Sequence, residues 1–325
     1  MRYRSFCLTL GLCLLTLPLH AFERSWPLEE GVDVVGELSH AEAAYEDTLI
    51  DVARRHQVGF EAIQRANPEL NTWIPGEGAR ILLPHKSVLP DVRRQGIVVN
   101  LPEMRLYYFP QGESRVVSYP VSIGRMDWGT PVGTLDVIEK RENPTWTPPD
   151  SVRKAYAERG EELPRVVPPG PDNPMGAYAI RLSRPSYLIH GTNWSTGIGM
   201  RSTHGCIRMD NDDIGELYSR VSLGTSVNIV NQPIKVGWRE GLLYLEAHPP
   251  LEELEDQAQG MDEAVKRVME AVGERDARVD WQRVRTALNE VTGVPQVVGW
   301  EADQPLTTST SATNTARAEP PAADP

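Results

Sequence analysis

The pattern of hydrophobic and polar positions divides this chain of 325 residues into regions of different character. Residues 1–21 come first, with two arginines, no acidic residue and an apolar run from Phe6 to Leu19. The run is shorter than the roughly 20 residues of a membrane span, and Leu19-His20-Ala21 fits a cleavage site. We therefore predict a removable secretory signal peptide at residues 1–21 and no membrane span in the rest of the chain.

Residues 36–84 combine strand patterns with helical ones. Thr48 is suited to cap a helix, because its side chain can accept a hydrogen bond from a free N–H of the first turn. Pro68 ends a second helix, since proline disfavours helical geometry in the residue before it. The pattern predicts a compact βααβ module. Its predicted elements are a strand at 37–43, helices at 49–56 and 60–66, and a strand at 80–83.

Residues 95–230 contain many short strand patterns separated by glycine and proline, with few helical periods. This combination predicts a β-rich sandwich or partly closed barrel. A proline-rich insertion at 147–175 interrupts it, and we interpret the insertion as a flap beside a binding site. A helix capped by the aspartates after Met209 is predicted to run to residue 221. The predicted strands are 97–101, 104–109, 114–123, 133–138, 177–182, 187–189 and 226–230.

Residues 231–300 carry apolar side chains at helical spacing, with acids and bases between them. They predict a mostly helical C-terminal subdomain whose apolar faces cover the preceding domain, with partner binding as the alternative. Residues 301–325 are rich in Thr, Ser, Ala and Pro, which predicts a disordered tail. The expected fold class is therefore α+β: a small module, a β-rich domain and a helical C-terminal segment. The apolar positions are Leu251, Leu254, Met261, Val265, Val268, Met269, Val272, Trp281, Val284, Leu288 and Val291.

Composition narrows the function. The chain has 45 acidic against 33 basic residues, a formal net charge of −12, which repels phosphate backbones and argues against nucleic-acid binding. Of its three cysteines, Cys7 and Cys13 lie in the predicted signal peptide, so the mature chain keeps only Cys206. A lone cysteine in an exported protein cannot form an internal disulfide. Reactivity is therefore the better explanation for Cys206.

The residues around Cys206 can supply that reactivity. A free thiol has a pKa of about 8.5 and needs a neighbouring base to act as a nucleophile. His190 lies sixteen positions upstream, at the end of a predicted strand. Gly205 permits a tight turn in which backbone N–H groups converge, as an oxyanion hole requires. We predict Cys206 as the nucleophile, His190 as the general base and acid, and Gly205 as part of the oxyanion hole.

His204 and the cysteine leave alternatives open. His204 is either a second base or a residue that shapes the thiol turn, and we favour the turn. Cys206 could also be a small buried hydrophobic residue. A zinc site formed by His190, His204 and Cys206 is a further alternative, but no CxxC or HExxH motif accompanies it. We expect neither a metal nor an organic cofactor.

His190, the loop after it and Ser202-Thr203-His204-Gly205-Cys206-Ile207-Arg208 resemble the signature of the L,D-transpeptidases of bacterial cell walls. That signature is a histidine, a spacer of a dozen or more residues, then Ser/Thr-His-Gly-Cys-x-Arg/Asn. The loops at 130–134 and 143–146 resemble loops of the same family. The resemblance implies a thioester on Cys206 with a peptidoglycan stem peptide and release of D-alanine. The acyl group would then pass to another stem in a 3-3 cross-link, or to an outer-membrane lipoprotein.

The predicted substrate-binding residues are Arg208, Thr203 and Trp146. Arg208 offers a forked set of donors for a substrate carboxylate, and the alternative is an ion pair with Asp210 or Asp212. The resemblance also leaves two other functions open. One is a hydrolytic cysteine peptidase, in which water is the acceptor, and the other is a wall protein that binds glycans without catalysis.

The predicted module at 36–84 resembles a lysin motif, a binder of N-acetylglucosamine-containing glycans. The resemblance rests on the run from Tyr45 to Ala53, on Ala66-Asn67-Pro68 and on Ile81-Leu82-Leu83-Pro84. Glu46 stands where that family usually has glycine before Asp-Thr-Leu. The resemblance implies that the module holds peptidoglycan glycan strands, with a purely structural role as the alternative. Together with the signal peptide, it implies a periplasmic enzyme.

Overall fold

The structure, a computed structural model, describes residues 24–254 and 260–303. The predicted signal peptide lies outside the described residues, and so does the predicted tail beyond residue 303. Among the described residues, none of the helices has the length and apolar character needed to cross a bilayer. The described chain is a mixed, strand-rich α+β protein with six α-helices.

The N-terminal module has the predicted order of strand, two helices and strand. Thr48 and Asp51 form a capping box at the start of the first helix. The two helices bury Leu49, Val52 and Ile63 against the outer strands, which pair antiparallel. The elements to residue 88 are β1 (Ser25–Pro27), β2 (Val34–Val35), β3 (Leu38–Glu42), α1 (Leu49–Arg55), α2 (Phe60–Ala66), β4 (Arg80–Pro84) and β5 (Ser87–Val88).

The central domain is built on a nine-stranded mixed sheet, which confirms the prediction of a strand-rich domain. Its elements are β6 (Gly96–Asn100), β7 (Arg105–Phe109), β8 (Arg115–Pro120), β9 (Ile123–Gly124), β10 (Gly133–Glu142), α3 (Asp150–Ala157), β11 (Tyr178–Leu182), β12 (Leu188–His190), β13 (Arg201–Thr203), β14 (Ile207–Arg208), α4 (Asn211–Arg220) and β15 (Ser226–Val230). The strand order is β1-β8-β7-β6-β15-β10-β11-β12-β14. The long strand β10 pairs with β15 at its start and with β11 at its end, so it joins the two halves of the sheet.

One face of this sheet carries the core. Ile180, Ile189 and Ile207, on three neighbouring strands, are buried in one cluster with Ile214 and Leu217 of α4. Because successive side chains of a strand point to opposite faces, the residue next to each of these isoleucines points away from the cluster. His190 and Arg208, each directly after an isoleucine of this cluster, therefore point to the opposite face of the sheet, where a second cluster covers β6 to β8.

The C-terminal segment is not mostly helical, and this corrects the sequence prediction. A four-stranded antiparallel sheet in the order β16-β17-β19-β18 forms one layer, and two helices cover it. Val268 and Val284 of these helices pack on Leu245 and Val298 of that sheet, rather than on the central domain. The elements are β16 (Ile234–Arg239), β17 (Leu242–Ala247), α5 (Met261–Val272), β18 (Ala277–Val279), α6 (Trp281–Glu290) and β19 (Gln296–Glu301).

A β-hairpin explains why the start of this segment forms strands rather than a helix. Glu240 and Gly241 join β16 to β17, and both have positive φ angles, 53° and 72°. Two central residues with positive φ match the right-handed twist of the paired strands, and a glycine in the turn favours this geometry. The continuous apolar run from Leu242 to Leu245 is therefore a buried strand, although a run of this kind also fits a helix.

Candidate active site

The parallel pairing of β12 with β14 brings the two halves of the reactive stretch together. Ile189 pairs with Ile207, and His190 pairs with Arg208. Cys206 comes directly before β14, and its Sγ lies 3.5 Å from the carbonyl oxygen of Ser186. In this register Cys206 comes one residue before the Ile189–Ile207 pair and His190 one residue after it, so the two residues lie diagonally across β12 and β14, although sixteen positions separate them in sequence. The prediction that His190 ends a strand is confirmed.

The hydrogen bond of His190 defines its tautomer. Nδ1 lies 2.7 Å from the carbonyl oxygen of Gly191. A carbonyl oxygen can only accept, so Nδ1 carries the proton and Nε2 of the neutral ring keeps its lone pair. Burial lowers the pKa of His190 to about 4; the hydrogen bond to Gly191 opposes this shift and the charge of Arg208 adds to it. At neutral pH the ring is therefore uncharged and able to accept a proton.

The thiol is also uncharged at rest. Burial raises the pKa of Cys206, and a hydrogen bond with the backbone of Leu188 only partly opposes this. A neutral thiol beside a neutral imidazole differs from a preformed thiolate–imidazolium pair. In this arrangement the sulfur gives up its proton as it attacks, and the imidazole is the group suited to accept it.

The turn before Cys206 is held by threonine hydroxyls. Gly205 has φ of +97°, in the left-handed region that favours glycine, so the predicted tight turn is confirmed. Thr130 donates to the carbonyl oxygen of Gly205 at 3.0 Å, and Thr203 donates to that of Cys206 at 2.6 Å. Thr203 is only 6% exposed, and its role as a substrate-binding residue stays a prediction. Its hydroxyl is used inside the protein to shape the thiol turn.

The side chain of His204 contacts Arg125 and Trp128. It is exposed, its Nε2 lies 3.3 Å from the guanidinium of Arg125, and its ring meets Trp128 edge-on at a centroid distance of 5.0 Å. Within residues 24–254 and 260–303, the ligand atoms of His190, His204 and Cys206 do not gather at one point. The zinc alternative therefore lacks its geometry in this structure.

Arg208 makes a side-chain hydrogen bond but no ion pair among the described residues. It donates to the hydroxyl of Ser202 at 2.5 Å, and its buried Nε has no hydrogen-bond partner among the described residues. Asp210 instead accepts from the backbone N–H of Asp212 as the cap of α4. The alternative of an ion pair between Arg208 and these aspartates is therefore wrong for the described chain. Burial lowers the pKa of Arg208, but an arginine with ordinary pKa above 12 stays charged at neutral pH.

A cavity of about 280 Å³ lies next to the loop before β12, and neither Cys206 nor His190 is among its lining residues. Ser186, whose carbonyl oxygen contacts Sγ, belongs to its wall. Trp146 does not line this cavity, in contrast to the prediction; its backbone pairs with Val167 within the insertion. The lining residues are Glu139, Arg141, Pro144, Thr145, Met175, Ala179, Arg181, Ser186 and Leu188.

The end of the insertion at 147–175 lies next to this cavity, and its role as a flap beside the active site stays a prediction. Asn173 is 1% exposed and holds the insertion together by donating to the carbonyl oxygens of Pro144, at 2.8 Å, and Pro168, at 3.0 Å. Two residues further on, Met175 is buried and forms part of the cavity wall. The insertion therefore contributes Met175 to the wall of this cavity.

Asn211 is the residue that sequence reasoning missed. Its side chain donates to the carbonyl oxygen of Thr192 at 2.6 Å and accepts from the N–H of the same residue at 3.2 Å. It also accepts from the N–H of Ala177. These bonds fix the backbone directly after His190. The sequence predicts only a helix start at this position, because the contact depends on the tertiary fold.

Comparisons with known proteins identify the relatives of this chain. The L,D-transpeptidase catalytic domain matches residues 94–229. Probable L,D-transpeptidase YcfS of Escherichia coli K12 is 41% identical over 287 residues, which cover 86% of this chain and 89% of YcfS. Probable L,D-transpeptidase YbiS of the same strain is 40% identical over 249 residues, covering 75% of this chain and 80% of YbiS. Among solved structures, the catalytic domain from the Enterococcus faecium L,D-transpeptidase aligns with 43% of this chain and 100% of that chain, at 22% identity and a TM-score of 0.33. The chain belongs to the L,D-transpeptidase family of enzymes.

Proposed function

We propose that this enzyme transfers acyl groups of peptidoglycan stem peptides through a thioester on Cys206. The observation that carries the proposal is the parallel pairing of β12 with β14, which puts His190 and Cys206 diagonally across two neighbouring strands. The His190 ring has its Nδ1 bound to Gly191, so that Nε2 is the nitrogen left to exchange a proton.

The first half-reaction forms the acyl-enzyme. Sγ of Cys206 attacks the carbonyl carbon at the L-centre of diaminopimelate in a donor tetrapeptide, and its proton moves to Nε2 of His190. Backbone N–H groups near Gly205 and Cys206 stabilise the tetrahedral oxyanion, and a donor of this kind contributes about 3 kcal/mol. The C–N bond to the terminal D-alanine then breaks, and His190 returns the proton to the leaving amine.

The second half-reaction consumes the thioester. An acceptor amine attacks the acyl carbon and His190 takes the amine proton, so that a new amide forms and the thiol is restored. The acceptor is either the side-chain amine of a second diaminopimelate, which gives a 3-3 cross-link, or a lysine of an outer-membrane lipoprotein. Both acceptors require the same chemistry at Cys206.

Charged side chains support recognition of an anionic stem peptide. Arg208 makes no ion pair among the described residues, and Arg141 and Arg181 line the cavity next to the loop before β12. Glu139 pairs with both of these arginines, so the three together keep one net positive charge. Guanidinium groups bind carboxylates through paired hydrogen bonds, and stem peptides carry several carboxylates.

The N-terminal module supports a second contact with the cell wall. Tyr45, Trp73 and Ile74 are 80%, 64% and 75% exposed. Aromatic faces of this kind can stack on sugar rings, and exposed apolar patches commonly mark binding surfaces. We therefore propose that the module binds glycan strands as a lysin motif does, and that the enzyme works in the periplasm.

Intact mass spectrometry with a carbapenem tests the nucleophile. The wild-type enzyme is expected to gain the mass of one opened β-lactam, and Cys206→Ala is expected to gain none. Cys206→Ser is the matched control, because it keeps the size of the side chain but loses most of the nucleophilicity. A normal adduct on Cys206→Ala would contradict the proposal.

Product analysis tests the acceptor. The enzyme is incubated with a donor tetrapeptide, with and without a diaminopimelate-containing acceptor stem, and the muropeptides are separated and weighed. Transpeptidation predicts released D-alanine together with a new 3-3 linked product. Release of D-alanine with a shortened stem in both reactions would instead favour the hydrolytic peptidase.

A further inference from the structure

The N-terminal module contacts the loop that connects the two catalytic strand ends. We call residues 193–200 the connector, because they lead from the segment after His190 to the strand before Cys206. Two backbone N–H groups in the first turn of α2 donate to it: Phe60 to the carbonyl oxygen of Ile198, at 2.9 Å, and Glu61 to that of Gly199, at 3.1 Å. The first N–H groups of a helix have no acceptor within the helix. The connector therefore supplies acceptors to the module, and the Gly59 cap gives no side-chain bond of its own.

The contact depends on a close approach of two glycines. A Cβ on Gly199 would lie 2.4 Å from Cα of Gly59 and 2.7 Å from the backbone nitrogen of Phe60. Gly199 also has φ of +85°, which glycine adopts without strain. A cavity of about 360 Å³ opens beside this contact, between Arg54 of the module and Ser195 of the connector. The two backbone hydrogen bonds beside Gly59 and Gly199 therefore join the module to the connector next to this cavity.

The connector is also hydrogen-bonded to Ser122, and Ser122 is bonded to Arg208 of strand β14. The hydroxyl of Ser122 donates to the carbonyl oxygen of Gly197 at 3.1 Å and accepts from the N–H groups of Gly199, at 3.2 Å, and Met200, at 3.3 Å. The backbone of Ser122 in turn exchanges two hydrogen bonds with Arg208, of 2.8 and 2.9 Å. Ser122 is fully buried. A displaced connector would therefore pull on the strand that directly follows Cys206.

We propose that the N-terminal module is a positioning element for catalysis: Gly59 and Phe60 hold the connector so that Cys206 and Arg208 keep their place beside His190. The module then serves the reaction directly, in addition to any glycan that it binds. The contact lies at the start of α2, whereas the exposed aromatic side chains Tyr45 and Trp73 belong to other loops of the module. The two roles can therefore be tested separately.

Phe60→Pro and Phe60→Ala form the decisive pair. Both remove the aromatic ring, but only proline also removes the N–H that donates to Ile198. Proline is tolerated at the first position of a helix, and Gly59 has φ of −65° and ψ of 143°, which suits a residue before proline. We expect carbapenem acylation of Phe60→Pro to be about ten-fold slower than that of Phe60→Ala, with similar melting temperatures. We also expect faster amide exchange across residues 193–201 in the proline variant.

Two glycine variants give an independent comparison. Gly199→Ala forces the module and the connector apart. Gly197→Ala imposes the same backbone strain, with φ of +93°, but its Cβ would meet only the flexible side chain of Met200, at 3.0 Å. We expect Gly199→Ala to slow acylation at least about five-fold more than Gly197→Ala. Equal rates and equal amide exchange within both pairs would overturn the inference.

The acylation readout rests on the proposed function, whereas amide exchange does not. A wild-type enzyme that forms no adduct would contradict the proposed function, and the exchange comparison would then decide the inference alone. Faster exchange of 193–201 in Phe60→Pro and in Gly199→Ala, relative to their controls, would support the contact. Unchanged exchange in both would refute it.

Discussion

Two buried histidines of this enzyme look alike by burial and differ in what surrounds them. His190 ends strand β12 of the catalytic domain and is 8% exposed, and His248 follows strand β17 of the C-terminal sheet and is 5% exposed. Burial lowers the pKa of both rings. Each has one nitrogen engaged: Nδ1 of His190 with Gly191 at 2.7 Å, and Nε2 of His248 with Glu246 at 2.6 Å.

The surroundings of the second ring nitrogen distinguish His190 from His248. Nε2 of His190 belongs to a ring that lies opposite Arg208 and diagonally across from Cys206. Nδ1 of His248 is buried with no hydrogen-bond partner among the described residues, and Gly293 packs against that side of the ring. A shifted pKa marks both histidines, so the shift alone does not identify a catalytic residue. What distinguishes His190 is its place in the strand pair that carries Cys206 and Arg208.

The surroundings of His248 form a buried charged cluster that joins the catalytic and C-terminal domains. Nζ of Lys235 lies 2.7 Å from Glu103 and 2.9 Å from Glu246, and Tyr107 donates to Glu103. Glu103, Glu246 and His248 could in principle hold a metal ion. The ammonium of Lys235 already supplies the positive charge between the two carboxylates. We therefore interpret the cluster as a structural link between domains.

Replacing each histidine tests this contrast most directly. His190→Ala removes the proton acceptor, and general-base catalysis of this kind contributes about 10²- to 10⁴-fold, so carbapenem acylation should fall within that range. His248→Gln should leave acylation of the folded enzyme unchanged and lower only its melting temperature. Stopped-flow acylation and differential scanning fluorimetry measure the two effects. An equal loss of acylation in both variants would mean that the contrast is wrong.

Lys235→Met tests whether the buried charged cluster stabilises the fold. The change leaves two buried carboxylates without their cation, and breaking a buried ion pair in this way typically destabilises a protein by about 3–5 kcal/mol. Lys140→Met is the matched control, since the ammonium of Lys140 donates to the carbonyl oxygen of Val221 and lies over the Tyr218 ring, and its loss should cost about 1–2 kcal/mol. Urea denaturation at pH 7 measures both. A loss for Lys235→Met no larger than the control would show that the cluster is not a structural link.

The pH dependence of stability sharpens the comparison further. The pKa of His190 is about 4 in the folded protein, mainly because of burial, and about 6.5 in the unfolded chain. Between these values only the unfolded chain binds the proton, so stability is complete above pH 6.5 and falls as the pH drops toward 4. The contribution of His190 is about 3 kcal/mol across that window. Urea denaturation at pH 7 and at pH 4.5 should show a smaller difference for His190→Gln than for the wild type, and an equal difference would contradict the assigned shift.

The parts of the site that the sequence predicted are local in the chain. His190 at a strand end, the left-handed turn at Gly205 and the cysteine after it follow from residue types at fixed positions. Asn211 and Ser122 could not be found in this way, because their side chains act on backbone that only the folded sheet brings near them. The same limit explains Thr203, whose burial depends on the packing around the thiol turn.

The same distinction between local signals and tertiary contacts applies to the predicted fold. The bounds of α1 and α2 are predicted within one residue, since caps and proline mark their ends locally. The C-terminal helices were also recognised from their period, but the sheet under them was missed. Its central strand β17 is a short apolar run without alternation, and only the Glu240-Gly241 turn distinguishes it from a helix.

His204→Ala is the smallest of these effects and decides between the two histidines of the reactive stretch. His204 is exposed, and its ring contacts Trp128 edge-on while its Nε2 faces Arg125. An edge-to-face pair contributes about 0.5–1.5 kcal/mol, so loosening the thiol turn should slow acylation only about two- to ten-fold. His204→Phe keeps the ring edge and should recover most of that loss. If His204→Ala instead slowed acylation as much as His190→Ala, and phenylalanine failed to restore it, the base would be His204, and His190 would be the residue that shapes the site.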